Sequence, residues 1–134
     1  MKPITVLAAA AAFAFATPAI AADPPESIVS IYHVAPGHQE AFLQWLARQE
    51  AISASAGVPA SQLYVHTDGD SWDYVVVAPV LTEAQDEAVA KATTAAGVNG
   101  MRGGLELRQH ITGHTDTFTI GPVTAQAYLE MVKK

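Results

Sequence analysis

The sequence predicts an α+β domain with the element order strand, helix, strand, strand, helix, strand, closed by a short C-terminal helix. Two observations predict it. Runs rich in β-branched and aromatic residues alternate with runs of helical period, and Gly, Pro, Asp and Thr punctuate them at positions where turns and caps are needed. The length sets the scale: 134 residues, of which 50% are hydrophobic, suffice for one core and not two.

The first element runs from Ser27 to Val34 (SIVSIYHV), apolar on both faces and therefore expected in the interior of a sheet; it stops at Ala35-Pro36-Gly37. A helix is expected from about His38 to Ser55, with Phe42, Trp45, Leu46 and Ile52 at helical spacing and Gly57 as its left-handed stop. Gln62–Thr67 and Trp72–Val80 flank the turn formers Asp68-Gly69-Asp70-Ser71 and predict a β-hairpin. Thr82-Glu83-Ala84-Gln85 has the form of a capping box, so a second helix is expected from about Glu83 to Ala96. The glycine-rich stretch Asn99–Gly104 matches no phosphate-binding loop and is expected to be a mobile loop over one end of a cavity. Leu105–Ile120 alternates well enough for a long or bent last strand, with Gly113 marking a bulge. Thr124 is placed to cap a terminal helix that turns Tyr128, Leu129 and Val132 inward.

Composition removes several function classes. The chain has no cysteine, which excludes a thiol nucleophile, a CxxC redox pair, an iron–sulfur cluster and a thiolate zinc finger. With 7 Lys+Arg against 13 Asp+Glu the net charge is −6, which opposes a grip on nucleic acid or on an anionic membrane surface. Residues 1–21 read as a signal peptide. Lys2 is the basic start, Ile4–Ala16 the apolar core, and Ala19-Ile20-Ala21 the small-residue cleavage site. That apolar core is too short to span a bilayer. Residues 22–26 are expected as an extended lead-in and 27–134 as the folded domain of a bacterial periplasmic or secreted protein.

The element order is the split βαβ arrangement of ferredoxin-like domains: a four-stranded antiparallel sheet with two helices on one face. The opening SIYHVAPGHQEAFLQWL, and in part His110-Ile111-Thr112-Gly113, resembles the dimeric α/β-barrel superfamily, which holds the antibiotic-biosynthesis monooxygenase, EthD and NIPSNAP-like domains. The resemblance implies a homodimer in which two sheets face each other as a barrel, with a ligand cavity between each sheet and its helices.

Histidine carries the candidate chemistry: there are five in a chain with few charges. On an unbroken last strand Arg108, His110, Thr112, His114 and Asp116 share one side, with His110 and His114 about 13 Å apart. In the strand order 4-1-3-2 the first and last strands are neighbours. His33 is then expected to approach His110 or His114, with Tyr32 on the opposite face and Asp116 as an orienting carboxylate. His33, His110 and His114 are thus the candidate catalytic residues, and imidazole suits proton transfer near neutral pH. Tyr32, Trp72, Tyr74 and Asp116 are the candidate ligand-binding residues, able to line a pocket for a small hydrophobic or aromatic molecule. His66, beside the hairpin turn, is expected at the surface, as is His38. No cofactor is implied by a motif, and no metal-binding signature occurs. The expected function is an exported small-molecule binder, with cofactor-independent monooxygenase or isomerase chemistry as its enzymatic form. The alternatives are a non-catalytic ligand-binding or structural dimer and, third, a metal or haem binder with histidine as ligand.

Overall fold

The computed structural model describes residues 24–98 and 100–133. The proposed signal peptide therefore lies outside the described residues. Eight elements follow in order: β1 (Glu26–Val34), α1 (Gln39–Ser55), β2 (Gln62–Val65), β3 (Tyr74–Pro79), α2 (Glu83–Ala95), α3 (Gly100–His110), β4 (Ile111–Ile120) and α4 (Ala125–Met131). The strands form one antiparallel sheet in the order β2-β3-β1-β4. This is the expected ferredoxin-like order, with β1 interior.

β1 alternates visibly: Ser30, Tyr32 and Val34 are buried, while Val29, Ile31 and His33 are only half-buried. The buried phase faces α1, because Phe42 on that helix, fully buried, packs its ring 5.0 Å from Tyr32 and 5.2 Å from Tyr74. Phe42, Leu46, Tyr32, Val34, Tyr74 and Val76 make the core, and Leu43, Trp45, Leu107 and Ile111 pack around it. The Thr82–Gln85 capping box forms as the sequence predicts: the Thr82 hydroxyl accepts from the Gln85 backbone N–H, and the Thr82 backbone N–H donates to the Gln85 side chain.

Three expectations are corrected. Residues 100–110 are helical, so the glycine-rich stretch is neither a loop nor a lid from Gly100 onward, and the last strand begins at Ile111 rather than Leu105. The alternation of Leu105 and Leu107 imitates a strand, but Leu105-Glu106-Leu107-Arg108-Gln109 are all good helix formers, and no β-branched residue occurs from Gly100 up to Ile111. Tertiary contacts agree with the helix: Leu107 packs against the core and Glu106 pairs with Arg48 of α1. The hairpin strands are shorter than their β-rich runs, so Trp72 lies in the connection and not in β3. α4 is capped by Thr124 as expected, but Tyr128, Leu129 and Val132 are exposed rather than turned inward. The helix follows the Gly121-Pro122 break after β4, and none of its residues belongs to the core cluster.

Candidate functional site

The sheet brings four polar or aromatic side chains together on the face that carries the core. Tyr32 and Ser30 belong to the buried phase of β1, and their partners across the ladder are His114 and Asp116 of β4. Directly opposed residues of an antiparallel pair put their side chains on one face. The His114 ring accordingly stacks on the Tyr32 ring, with centroids 5.7 Å apart and planes 13° from parallel. The Ser30 hydroxyl donates to Asp116 Oδ1 at 2.6 Å, and Asp116 Oδ2 lies 3.5 Å from His114 Nε2. Asp116 is thus a bridge: one oxygen is fixed by a buried hydroxyl, the other is aimed at the imidazole.

Of the two ring nitrogens, Nε2 is the one beside the carboxylate; a neutral ring protonated there would leave its lone pair on Nδ1. Burial pushes the Tyr32 phenol up, a hydrogen bond with Ser30 opposes this, and the Asp116 charge adds to the rise. The phenol stays protonated at neutral pH and can donate to an oxygen of a bound molecule. Burial, aided by the Asp73 charge, likewise raises Tyr74. His114 and Asp116 are partly open, with side chains 36% and 50% exposed, so the site is reached by solvent in one protomer instead of being sealed from it.

The bulge predicted at Gly113 is present. His33 pairs with Gly113 and Val34 with Ile111, so Thr112 is the extra residue. The expected grouping of His33 with His110 or His114 is not formed. His33 lies in the opposite phase of β1 from Tyr32 and turns its Nδ1 to the Ser71 carbonyl at 3.2 Å. His110 ends α3 and meets His38, with Nδ1 atoms 3.4 Å apart. The reason is the helix at 100–110: it takes His110 and Arg108 out of the strand register that would have aligned them with His114 and Asp116.

Of the aromatic candidates, Tyr32 is in the cluster and Tyr74 supports it from β3 through Phe42. Trp72 lies outside β3 and packs its ring 5.1 Å from His66, so it does not share a strand face with Tyr74. His66 is half-buried, not a surface residue as expected, and its Nε2 has no partner among the described residues. Ser30 is the functional candidate that the sequence analysis missed. Its signal was present: a small hydroxyl in a largely apolar strand, two residues before Tyr32 and so on the same face. Two grooves of about 600 and 550 Å³ lie elsewhere, along α2 and the turn after it, lined by Ala90, Thr94 and their neighbours. Among the described residues no helix is long and apolar enough to cross a membrane, and no group of three or more His, Asp or Glu side chains could hold a metal ion.

Several solved structures share this fold. A variant of SnoaB, a cofactor-independent oxygenase from Streptomyces nogalater, superposes with a TM-score of 0.52 at 21% identity, covering 76% of this chain and 97% of SnoaB. The fold is ferredoxin-like. Rv0793 from Mycobacterium tuberculosis gives a TM-score of 0.52 at 12% identity, over 75% of this chain and 98% of its own. PA3566 from Pseudomonas aeruginosa gives 0.50 at 17% identity, over 75% and 96%. No protein-family model and no curated protein sequence matches the chain. Identities this low carry the ferredoxin-like fold across and leave the chemistry to the residues of the site.

Proposed function

We propose that the chain is an exported, homodimeric small-molecule enzyme of the dimeric α/β-barrel type, in which His114 is the base of a cofactor-independent monooxygenase or isomerase. The observation that carries this reading is the bridge from Ser30 through Asp116 to His114, with the His114 ring stacked on Tyr32. Asp116 orients the ring and balances the positive charge that develops when Nδ1 takes a proton. Its separation of 3.5 Å from Nε2 is long for a hydrogen bond, as is common before a substrate completes a site. A planar molecule with an acidic O–H or C–H group fits the stacked rings, and the Tyr32 phenol supplies a donor for its oxygen. Isomerisation would return the proton to a different carbon of the same molecule. Monooxygenation of a CH2 group would in addition consume O2: the deprotonated carbon adds O2 as a peroxide, whose O–O bond breaks so that one oxygen stays as the new carbonyl and the other leaves as water with the two hydrogens of that carbon. SnoaB, which shares the fold, is a cofactor-independent oxygenase.

The dimer is supported by the sheet face turned away from α1. Val29, Ile31, Val75 and Val77 form an apolar stripe there, only half-buried in one protomer, which a second copy would cover. His33, from the same strand phase, would lie at that interface and not in the active site. The signal-peptide pattern of residues 1–21 supports export.

The reading is tested by O2 uptake and by solvent-deuterium exchange on a panel of planar phenols and enolisable ketones. His114→Gln is expected to lower the turnover of any active compound by about 10²–10⁴-fold, the usual contribution of a positioned base. Unchanged turnover in that variant would refute the assignment. A non-catalytic ligand-binding dimer is the second reading, favoured by the position of both grooves along α2, away from His114. It predicts saturable binding with neither O2 uptake nor deuterium exchange.

A further inference from the structure

We infer that His38 and His110 form a binding site for a divalent transition-metal ion, with a tetrahedral ion of the zinc type as the best fit. The site is distinct from the Ser30–Asp116–His114 cluster and does not depend on the reading given for it. The two Nδ1 atoms face each other at 3.4 Å, with ring centroids 5.6 Å apart. As an N–H···N hydrogen bond this is long, beyond the usual range of about 2.7–3.2 Å for a good bond. As a chelate it is well matched. Two imidazole nitrogens on one zinc, each at about 2.0–2.1 Å and subtending the tetrahedral angle, lie about 3.3–3.4 Å apart. Neighbouring ligands of a square-planar ion would lie closer, at about 2.9 Å.

The backbone holds the pair in place. Ala35-Pro36-Gly37-His38 is a tight turn closed by the His38 N–H donating to the Ala35 carbonyl at 2.9 Å, with Gly37 at φ +81°. Proline at the second position and a positive-φ glycine at the third are the residues that a type II turn requires. The same Ala35 donates its own N–H to the His110 carbonyl at 2.8 Å. One residue therefore fastens both ligand-bearing backbones, which lowers the entropy cost of bringing the rings together on an ion.

His38 also occupies the N-cap position of α1, where a side chain normally accepts a backbone N–H. Among the described residues its imidazole makes no such cap and turns instead to His110. The helix ends act in opposite senses on a cation: the start of α1 disfavours it and the end of α3 favours it, so neither dipole decides the site. His38 is exposed. With no third carboxylate or imidazole in reach among the described residues, the remaining coordination positions fall to water or to an oxygen- or nitrogen-donor ligand.

The test is a titration of the metal-free full chain with Zn(II), read by competition against a chromophoric chelator, together with long-range 1H–15N spectra of the imidazoles. One ion per chain is expected in the micromolar range. Affinity should fall at least tenfold in His38→Ala and in His110→Ala, each checked for native circular dichroism, and stay unchanged in His66→Ala. The wild-type spectra need no variant: both His38 and His110 should report coordination through Nδ1, with the proton on Nε2. The inference is overturned by absence of saturable zinc binding at micromolar concentration. It is equally overturned by binding that survives both substitutions, or by zinc signals confined to His33, His66 or His114.

Discussion

Phe42→Ala is the perturbation that most sharply separates the packing described here from any other. Phe42 is fully buried, and its ring touches Tyr32, Tyr74 and Trp45 at centroid distances of 5.0, 5.2 and 6.1 Å. Removing the ring loses its transfer free energy and opens a cavity among three stiff aromatic neighbours that cannot collapse into it. The expected loss is about 4 kcal/mol, within the range for buried Phe→Ala changes. For a domain of this size, each kcal/mol shifts Tm by roughly 4 °C, so Tm should fall by about 15 °C. Phe42→Leu keeps most of the volume and should cost about 1.5 kcal/mol. Urea unfolding followed by tryptophan fluorescence and circular dichroism gives both numbers. The same substitution also tests the site, because Phe42 backs the Tyr32 ring on which His114 stacks: the His114 imidazole resonances should move in both variants while those of His66 do not. A loss below about 1 kcal/mol for the alanine variant would show that α1 does not seat Phe42 between β1 and β3, and the reasoning would fail.

Ser30→Ala should destabilise the fold by about 1 kcal/mol, less than the usual contribution of about 1.5–3 kcal/mol for a hydrogen bond to a charged group, because Asp116 is half exposed; denaturant unfolding measures it. Asp116→Asn should leave the fold intact yet lower any activity by less than His114→Gln does, since it removes the orienting charge and not the base. Tyr32 and Tyr74 both have raised phenol values, so the unfolded chain loses these protons first as pH rises past about 10. Their contribution to stability is complete below that pH and is lost as pH climbs through the higher folded values. Phenolate absorbance should therefore show a late component that Tyr32→Phe diminishes. Thr82→Ala should cost about 1 kcal/mol through loss of the capping box, measured by thermal unfolding.

The elements that the sequence announced well are those whose signals are local. The β1 run stops at a Pro-Gly turn, the capping box opens α2, and Gly113 sits at the bulge; each depends on neighbours along the chain. α3 was illegible because its helix formers are diluted by Gly100, Gly103 and Gly104, and because its anchors, Leu107 in the core and Glu106 on Arg48, are tertiary. That single error displaced the candidate site. Once His110 belongs to a helix, the polar face on β4 shrinks to His114 and Asp116, and their partners become Tyr32 and Ser30 instead of His33. The ladder register, with Tyr32 opposite His114 and Ser30 opposite Asp116, sets which face His114 takes relative to β1. The His38–His110 pair joins residues far apart in sequence through Ala35, a contact that no periodicity announces.

In the proposed function His114, held by Asp116 and stacked on Tyr32, meets a planar small molecule. The most direct test is imidazole NMR of the full chain, with side-chain assignments for all five histidines, during titration with a panel of planar phenols and enolisable ketones. Ligands which bind are expected to shift His114 Nδ1 and broaden the Tyr32 ring signals, with His33 and His66 unmoved. A panel that leaves His114 unperturbed, or ligands that shift only resonances along α2, would contradict it.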